Sequence, residues 1–371
     1  MIRLFRYSLP LSEGLRIAPP GAPAITLRQR EGLILLAPEQ VAAGRAPVGQ
    51  PTVIRYCGEA APLPGFSRES LAQLQEAAVR DAAAAAEEGD RTAAESRGSG
   101  ATLERGDWDA DSPSLPQVGR FASGPLAAFP SWRFAFESAT VDLTATSTAI
   151  PVSGLLAGSR EAIVAKATEL ACSECQAVKL KVGRDPDVES ELRLVREIRS
   201  LLREEQRLRL DANRAWSLET AIRFGSALRD LDLDYLEEPL RDSSELETFY
   251  AETGCPYALD ETLRTAGDLR HYRHAAAFVV KPTLLGDSRD IRRLAAYGKP
   301  LVFSAAFESG VGIAHIARLA AQLSPDIPAG LDTYSWLAQD ILEQPLTFAN
   351  WRLHVPDELR LRTEKGTQLF Y

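Results

Sequence analysis

The stretch Ala177-Val178-Lys179-Leu180-Lys181-Val182 decides how this chain is interpreted, because apolar and polar residues alternate along it as in a β-strand. Side chains two positions apart in a strand point to the same face, so Lys179 and Lys181 should project together. Taken alone, such a pair is more typical of a solvated face or a guarded sheet edge. The next four strand-like runs favour another interpretation, since each of them also finishes in charged residues. These ends are Asp211, Glu237-Glu238, Asp260-Glu261 and Lys281.

The composition sets the class of protein. A chain of 371 residues is too long for one small core and predicts two domains. Its 45% apolar and 25% charged content is that of a soluble globular protein. No apolar run reaches the roughly 18 residues of a membrane span. The net charge of −9 argues against non-specific binding to nucleic acid. We therefore expect a small-molecule partner and neither a nucleic-acid nor a membrane partner, and the sequence leaves the oligomeric state open.

The cysteines and the first residues indicate a cytoplasmic protein. Four cysteines in a chain of this length do not suggest a disulfide framework. The N-terminus lacks the apolar core and cleavage site of a signal peptide. Cys172 and Cys175 form a C-x-x-C pair, but no second pair completes a zinc site, so packing or a chance pair is the favoured interpretation.

Strand-like and helix-like segments alternate from about residue 134 to residue 333, which predicts a (β/α) barrel. A doubly wound sheet is the alternative, but it would want a glycine-rich phosphate loop after its first strand, and Val152-Ser153-Gly154 is not one. The eight candidate strands are Ile150 to Leu156, Ala177 to Val182, Leu208 to Ala212, Asp234 to Glu238, Pro256 to Asp260, Ala277 to Lys281, Leu301 to Ala305 and Gly330 to Thr333.

The residues before the barrel predict a second, smaller domain of strands and one long helix. Leu11 to Leu15 and Pro62 to Ser67 are interpreted as loops, and Ser67 as the N-cap of an alanine-rich helix from Arg68 to Ala94. Ser96 to Gly119 is rich in Gly, Ser, Asp and Pro and is interpreted as a linker or insertion. We therefore expect an α+β domain over 1–120, the barrel over 121–335, and a tail over 336–371 that packs back on the first domain.

Three acidic residues at consecutive strand ends predict a metal site. The carboxyl ends of the strands of a parallel barrel converge on one mouth, so Asp211, Glu237 and Asp260 should meet there. Singly, each is more typical of a helix cap or a salt bridge. Three carboxylates in one apolar cup repel one another unless a cation joins them, and all-oxygen ligation suits Mg²⁺, or Mn²⁺ in its place, better than zinc.

Lysines on strands that flank these acids predict proton chemistry. Lys181 and Lys281 should lie on opposite sides of the metal, and a lysine beside a dication has its pKa lowered and can act as a base. The proton to remove would be α to a carboxylate. Lys179 is interpreted as a supporting charge, and Arg209 either meets the substrate or balances the acids. No histidine falls at a strand end. The stretch from Ser304 to Gly312 opens a helix whose N–H groups could bind a carboxylate.

Taken together, these motifs resemble the enolase superfamily, in which Lys-x-Lys, Asp-x-Asn, Glu-Glu-Pro, Asp-Glu and a later Lys occur in this order. Within it the chain is similar to the o-succinylbenzoate synthases. Three further stretches support that similarity: Pro62-Leu63-Pro64-Gly65-Phe66-Ser67, Leu208-Arg209-Leu210-Asp211-Ala212-Asn213-Arg214-Ala215-Trp216 and Gly330-Leu331-Asp332-Thr333.

The resemblance implies a modified (β/α)7β barrel under an N-terminal α+β capping domain. It also implies that Asp211, Glu237 and Asp260 hold Mg²⁺, that Lys181 is the base and then the acid, and that Lys281 stabilises an enediolate. The reaction implied is a syn dehydration of a cyclohexadiene carboxylate. Ala305 and Ala306 stand where the family is often richer in serine. The implied substrate contacts are Lys179, Arg209, Asn213, Ser304, Gly310 and Gly330.

Two other functions remain open at this point. Racemases of N-acylamino acids and dipeptide epimerases also use two lysines, one on each face of the α-carbon, and the loops that would decide specificity are not readable. A mandelate-type racemase is disfavoured because it needs a histidine at a strand end. A barrel that kept its fold and lost its chemistry would lack a ligand or a lysine, and none is missing here.

Overall fold

A computed structural model of the chain describes residues 3–17, 24–36, 52–54, 56–80, 125–141, 148–362 and 369–370. The predicted insertion from Ser96 to Gly119 and the second half of the predicted helix from Arg68 to Ala94 lie outside these residues.

The described elements are numbered in chain order. The strands are β1 (Arg3–Ile17), β2 (Ile25–Leu36), β3 (Thr52–Ile54), β4 (Cys57–Ala60), β5 (Thr148–Pro151), β6 (Gly154–Leu156), β7 (Ala177–Lys181), β8 (Arg207–Asp211), β9 (Leu233–Glu237), β10 (Tyr257–Leu259), β11 (Ala275–Val280), β12 (Leu301–Phe303), β13 (Thr347–Ala349), β14 (Arg352–Val355), β15 (Leu359–Leu361) and β16 (Leu369–Phe370). The helices are α1 (71–80), α2 (Pro130–Ser138), α3 (Arg160–Ala171), α4 (Val188–Leu201), α5 (Leu218–Ala227), α6 (Leu246–Thr253), α7 (Thr262–Thr265), α8 (Pro282–Leu285), α9 (Ser288–Ala295) and α10 (Gly310–Leu323).

The first domain, called the cap below, is an antiparallel sheet in the order β16-β1-β2-β4 with α1 and α2 packed on it. The prediction of a loop from Leu11 to Leu15 is wrong, because this stretch continues β1 with a register shift between Pro10 and Leu15. The physical reason is burial, since Leu11 and Leu15 pack against Leu63. A β-bulge therefore takes the place of the loop.

The first helix of the cap begins three residues later than predicted. Ser67 is not its N-cap, because the Ser67 hydroxyl accepts a hydrogen bond from the Leu63 N–H at 2.8 Å. Ser70 is the cap: its hydroxyl accepts from the Gln73 N–H at 3.2 Å, and the Gln73 side chain accepts from the Ser70 N–H at 2.8 Å. This reciprocal pair satisfies two helix-terminal donors, which fixes the start of α1 at residue 71.

The second domain is a barrel built on a parallel sheet in the order β12-β11-β10-β9-β8-β7-β6. Its eighth strand is reduced to Ala329 and Gly330, which bridge Val152 on one edge and Ser304 on the other. The predicted strand from Gly330 to Thr333 is therefore wrong beyond its first residue, and a 3₁₀ turn, Asp332–Trp336, follows. The closed ring, with helical connections after each of its first seven strands, confirms the predicted (β/α)7β barrel with an N-terminal α+β cap.

The border between the domains lies later than the predicted residue 120. Helix α2 buries Trp132 and Ala135 in the core of the cap with Leu33, Leu35 and Ala60. The first predicted barrel strand is split, and its first part, β5, pairs antiparallel with β14 outside the barrel. The remaining tail strands return to the first domain, since β15 pairs with β3 and β16 with β1. No helix in the described part of the chain is long and apolar enough to cross a membrane.

Buried polar side chains join the cap to the barrel. Arg30 of β2 donates hydrogen bonds to the carbonyl groups of Ala61 and Pro62 in the cap and of Ala306 and Phe307 in the barrel. Glu59 of β4 reaches the N-terminus of α10, where it accepts from the Ser309 N–H at 2.9 Å and the Gly312 N–H at 2.7 Å. The hydroxyl groups of Ser309 and Tyr7 also donate to Glu59. These contacts fix the cap over one side of the barrel mouth.

Candidate active site

The three predicted acidic residues lie side by side at the carboxyl end of the barrel. Asp211 and Glu237 are the last residues of β8 and β9 and are register partners, and Asp260 directly follows β10. All three side chains are buried, with at most 2% of each residue exposed. The sheet therefore brings together residues that are 26 and 23 positions apart in the sequence.

Three lysine ammonium groups contact these carboxylates. Lys179 Nζ lies 2.8 Å from Asp211 Oδ2 and 2.8 Å from both Glu237 carboxylate oxygens. Lys181 Nζ lies 3.2 Å from Asp211 Oδ2, and Lys281 donates to Asp260 Oδ2. Each of these three buried acids thus has a cationic hydrogen-bond donor, which offsets part of the cost of burying its charge.

The ring order places two of the lysines on opposite sides of the mouth. Lys181 is the last residue of β7, and Lys281 directly follows β11. These strands are four apart in a ring of eight, so they face each other across it. The strands that carry the acids, β8, β9 and β10, lie between them on one side. A small molecule held at the acids would lie between the two ammonium groups.

The electrostatics distinguish the lysines. Burial lowers the pKa of Lys181, Asp211 opposes this, and the ammonium groups of Lys179 and Lys281 lower it further. Burial acts in the same direction on Lys281, but Asp260 and Glu237 outweigh it and raise its pKa. Asp211 and Glu237 likewise raise the pKa of Lys179 well above its usual value. Among these three lysines, Lys181 is therefore the one that loses its proton most readily.

Glu237 has a raised pKa although Lys179 contacts it, because burial and the neighbouring Asp211 outweigh the ammonium group. Within the described residues, no three acidic, histidine or cysteine side chains are close enough together to hold a metal ion in their present positions. The chemistry of Asp211, Glu237 and Asp260 nevertheless suits a hard dication, since their side chains are buried, anionic and offer only oxygen ligands. Lys179 stands between two of the three acids.

Neighbouring side chains hold the catalytic candidates in place. Asn213, predicted to bind substrate, accepts a hydrogen bond from Lys181 Nζ at 2.7 Å and so orients this lysine. Glu238 accepts from the backbone N–H groups of Asp260 at 2.8 Å and Thr262 at 2.7 Å. The backbone at the strand ends is also unusual, with φ of 46° at Asn213 and 42° at Glu238. Asparagine adopts such angles readily, whereas a glutamate does so only rarely, so the backbone at Glu238 is the more strained of the two.

Arg209 was predicted either to meet the substrate or to balance the acids, and its contacts disfavour the first alternative, because its guanidinium is paired with protein groups. Only 1% of the surface of Arg209 is exposed. Its guanidinium donates to Asp234 Oδ2 at 2.7 Å and to the Pro328 carbonyl at 2.7 Å. Arg209 does share the inward face of β8 with Asp211. However, two residues along a strand are about 7 Å, so it lies one layer deeper, beneath the acids.

The helix N-terminus that was predicted to bind a carboxylate is already occupied by protein groups. The Gly310 N–H donates to Asp340 Oδ1 at 3.0 Å, and the Ser309 and Gly312 N–H groups donate to Glu59. The backbone of Gly330 is also engaged, because its N–H donates to the Phe303 carbonyl at 2.7 Å and its carbonyl accepts from the Ala305 N–H. These amides are therefore not open to a substrate. The Ser304 hydroxyl donates to the Gly330 carbonyl at 3.3 Å.

The second acid of each strand-end pair, Glu238 and Glu261, was given no role on the basis of the sequence. Glu238 positions the Asp260 loop, and Glu261 is 3% exposed with no hydrogen-bond partner for either carboxylate oxygen in the described structure. Burial, followed by Asp260, raises the pKa of Glu261 to about 8. The sequence does contain the adjacent acids Glu-Glu and Asp-Glu. Two consecutive acids at the end of a buried strand could have indicated that both side chains are buried.

An apolar wall joins the cap to loops at the carboxyl end of the barrel. Its members come from the β1 bulge, the Leu63 loop and the barrel loops after β11, β12 and the eighth strand. They are Leu11, Leu15, Ile17, Leu63, Phe66, Leu284, Ala306, Phe307, Trp336 and Leu337. The barrel loops of this wall follow their strands at the same end of the barrel as the three acids.

The remaining candidates lie away from this mouth. His315 is buried and contacts the Cys57 carbonyl at 2.8 Å, and burial lowers the pKa of its imidazole to about 3. All four cysteines are free, with Cys172 exposed and Cys175 buried, so the C-x-x-C pair is not a disulfide in this structure.

Comparison with known proteins gives relatives for this arrangement. The family model described as enolase C-terminal domain-like matches residues 162–359. The o-succinylbenzoate synthase of Edwardsiella ictaluri is 30% identical over 352 residues, which cover 91% of this chain and 92% of that protein. The chloroplastic protein PHYLLO of Arabidopsis thaliana is 34% identical over 196 residues, but these are 46% of this chain and only 11% of that much longer protein.

Solved structures share the fold at low sequence identity. The o-succinylbenzoate synthase of Thermosynechococcus elongatus, complexed with Mg in its active site, has a TM-score of 0.65 at 22% identity, with 91% of this chain and 94% of that chain covered. The L-Ala-D/L-Glu epimerase of Bacillus subtilis has a TM-score of 0.69 at 19% identity, with 99% of each chain covered. The family match and the full-length relatives show that this chain belongs to the enolase superfamily.

Proposed function

We propose that this protein is an o-succinylbenzoate synthase, which removes water from 2-succinyl-6-hydroxy-2,4-cyclohexadiene-1-carboxylate. The observation that carries the proposal is the placement of Lys181 and Lys281 on opposite sides of three buried carboxylates. Sequence similarity to synthases over nine-tenths of the chain supports this choice of substrate within the superfamily.

Asp211, Glu237 and Asp260 are the residues that would hold Mg²⁺. When bound there, the ion supplies charge stabilisation at the substrate carboxylate, which makes the adjacent C–H bond acidic enough to break. Mn²⁺ has the same preference for oxygen ligands and is proposed as a substitute.

Lys181 is proposed to perform both proton transfers. Its neutral amine takes the proton from C1, α to the carboxylate, and the electrons of that C–H bond pass into the enediolate. The resulting ammonium then gives this proton to the hydroxyl group at C6, which leaves as water from the same face, and the ring becomes aromatic. Asn213 accepts a hydrogen bond from the same nitrogen and keeps it directed. The lowered pKa of Lys181 supports this role, because a base must lose its proton near the working pH.

Lys281 is proposed to stay protonated and to stabilise the enediolate by its charge. Its raised pKa and its contact with Asp260 support this assignment. The apolar wall on the cap would cover the ring and exclude water. Neither assignment requires the amides of Gly310 or Gly330.

An ultraviolet assay with the cyclohexadiene substrate tests the proposal. The purified protein should form the aromatic product with Mg²⁺ and lose that activity when EDTA removes the metal. A protein that binds Mg²⁺ but forms no product would contradict the assignment of substrate.

Epimerisation or racemisation is the second candidate, because a lysine on each side of the α-carbon is also the arrangement that moves a proton between two faces. In deuterated water, an epimerase should incorporate deuterium at the α-carbon of a dipeptide or an N-acylamino acid from both enantiomers. Turnover of such substrates that exceeds dehydration by tenfold or more would favour this candidate.

A further inference from the structure

Lys179 differs from the other two mouth lysines in what it contacts. Its Nζ is 2.8 Å from three oxygens that belong to two proposed metal ligands, Asp211 and Glu237. In contrast, Lys181 shares Asp211 with Asn213, and Lys281 contacts Asp260. Lys179 is thus the one described cation that bridges two of the acids.

The bridge follows from the strand register. Lys179 pairs with Arg209 on β8, one layer below Asp211, so its long side chain rises along the sheet to reach the acids. Its side chain is 13% exposed, against 1% for each of the two acids. An unbranched, partly exposed lysine can change rotamer more readily than the buried carboxylates that it joins.

We propose that the Lys179 ammonium group competes with the divalent cation for Asp211 and Glu237, and so sets the metal affinity of this site. This inference rests on the proposed function, because it takes the three acids to be the metal ligands. The physical reason is that an ammonium and a dication on the same oxygens repel each other, and burial strengthens that repulsion. A weaker and exchangeable metal site is the expected consequence.

Isothermal titration of Mg²⁺ into EDTA-treated, dialysed protein tests the inference without measuring activity. Lys179→Met removes the charge and keeps much of the side-chain volume, so Mg²⁺ should bind at least about tenfold more tightly than to the wild type. Lys179→Gln serves as a second neutral variant in case the first does not fold. Lys166→Met on helix α3 is the matched control, because Lys166 pairs with Glu169 and makes no described contact with the three acids. It should leave the affinity unchanged.

Thermal unfolding gives an independent readout. Without added Mg²⁺, Lys179→Met should unfold at a lower temperature than the wild type, because Asp211 and Glu237 lose their shared counter-charge. With saturating Mg²⁺ the difference should shrink or reverse.

The outcomes separate the inference from the proposed function. Unchanged or weaker binding by both neutral variants, with normal binding by the wild type, would overturn the role of Lys179 and leave the metal site standing; Lys179 would then be preorganising the ligands. If the wild type did not bind Mg²⁺, the proposed metal site would be overturned, and so would the competition between Lys179 and the metal.

Discussion

The barrel mouth and the joint between cap and barrel both bury carboxylates, but they satisfy them with different donors. At the joint, Glu59 accepts from two helix N–H groups and two hydroxyl groups, which belong to fixed elements. At the mouth, Asp211, Glu237 and Asp260 accept from lysine ammonium groups at the ends of flexible side chains. Fixed dipoles hold two domains together, whereas ammonium groups can give up a proton or move aside. Buried carboxylates therefore serve structure in one region and are proposed to serve chemistry in the other.

Among changes to the two sets of buried carboxylates, removing one charge at the mouth should have the largest effect on activity. Asp260→Asn takes away one proposed ligand charge and should lower kcat/KM by roughly 10³-fold or more, because the charge that develops on the substrate is no longer balanced. The fold should survive, as checked by circular dichroism, since asparagine has the same size and can still contact Lys281. Near-normal turnover at low Mg²⁺ would remove Asp260 from the ligand set.

Removing the acid at the joint should affect stability first. Glu59→Ala leaves four buried donors without their acceptor, which we expect to cost about 3 kcal/mol in the free energy of unfolding. Part of the loss is offset because burial already raises the pKa of Glu59 and so disfavours its charged form. Urea unfolding measures the change.

Tyr7→Phe is the matched control at the joint, because it removes one donor and leaves Glu59 the other three. It should cost about 1 kcal/mol. If Glu59→Ala were as stable as Tyr7→Phe, the joint would not depend on this carboxylate.

The pH dependence of kcat/KM should sharpen the contrast between the lysines. In the proposed mechanism the neutral amine of Lys181 is the base. Burial lowers its pKa, so activity should rise with pH and level off below the pKa of about 10.4 of an ordinary lysine. Below that point the rise should approach tenfold per pH unit. A rate that keeps rising beyond pH 10.4 would contradict a lowered pKa.

The sequence predicted the parts of the site that depend on one strand and its period. Alternation put Lys179 and Lys181 on one face, and acids at successive strand ends had to converge in a parallel barrel. The depth of a side chain within the barrel was harder to predict. Arg209 lies on the same strand face as Asp211, and yet it lies one layer below it.

Long-range partners could not be predicted at all. The N–H groups before and within Gly310–Leu323 looked free for a carboxylate, and nothing near them in the sequence shows that Glu59, 250 positions away from Ser309, occupies them. The β1 bulge was missed for the same reason, since the contacts that hold Leu11 and Leu15 come from distant residues.

The most direct test of the central claim is the rate of dehydration in Lys181→Arg and Lys281→Arg, measured side by side with Mg²⁺. Arginine keeps the positive charge but cannot act as a base, because its pKa is above about 12. We predict that Lys181→Arg forms no measurable product, whereas Lys281→Arg retains a reduced but measurable rate. Equal rates in the two variants would contradict the assignment of Lys181 as the base.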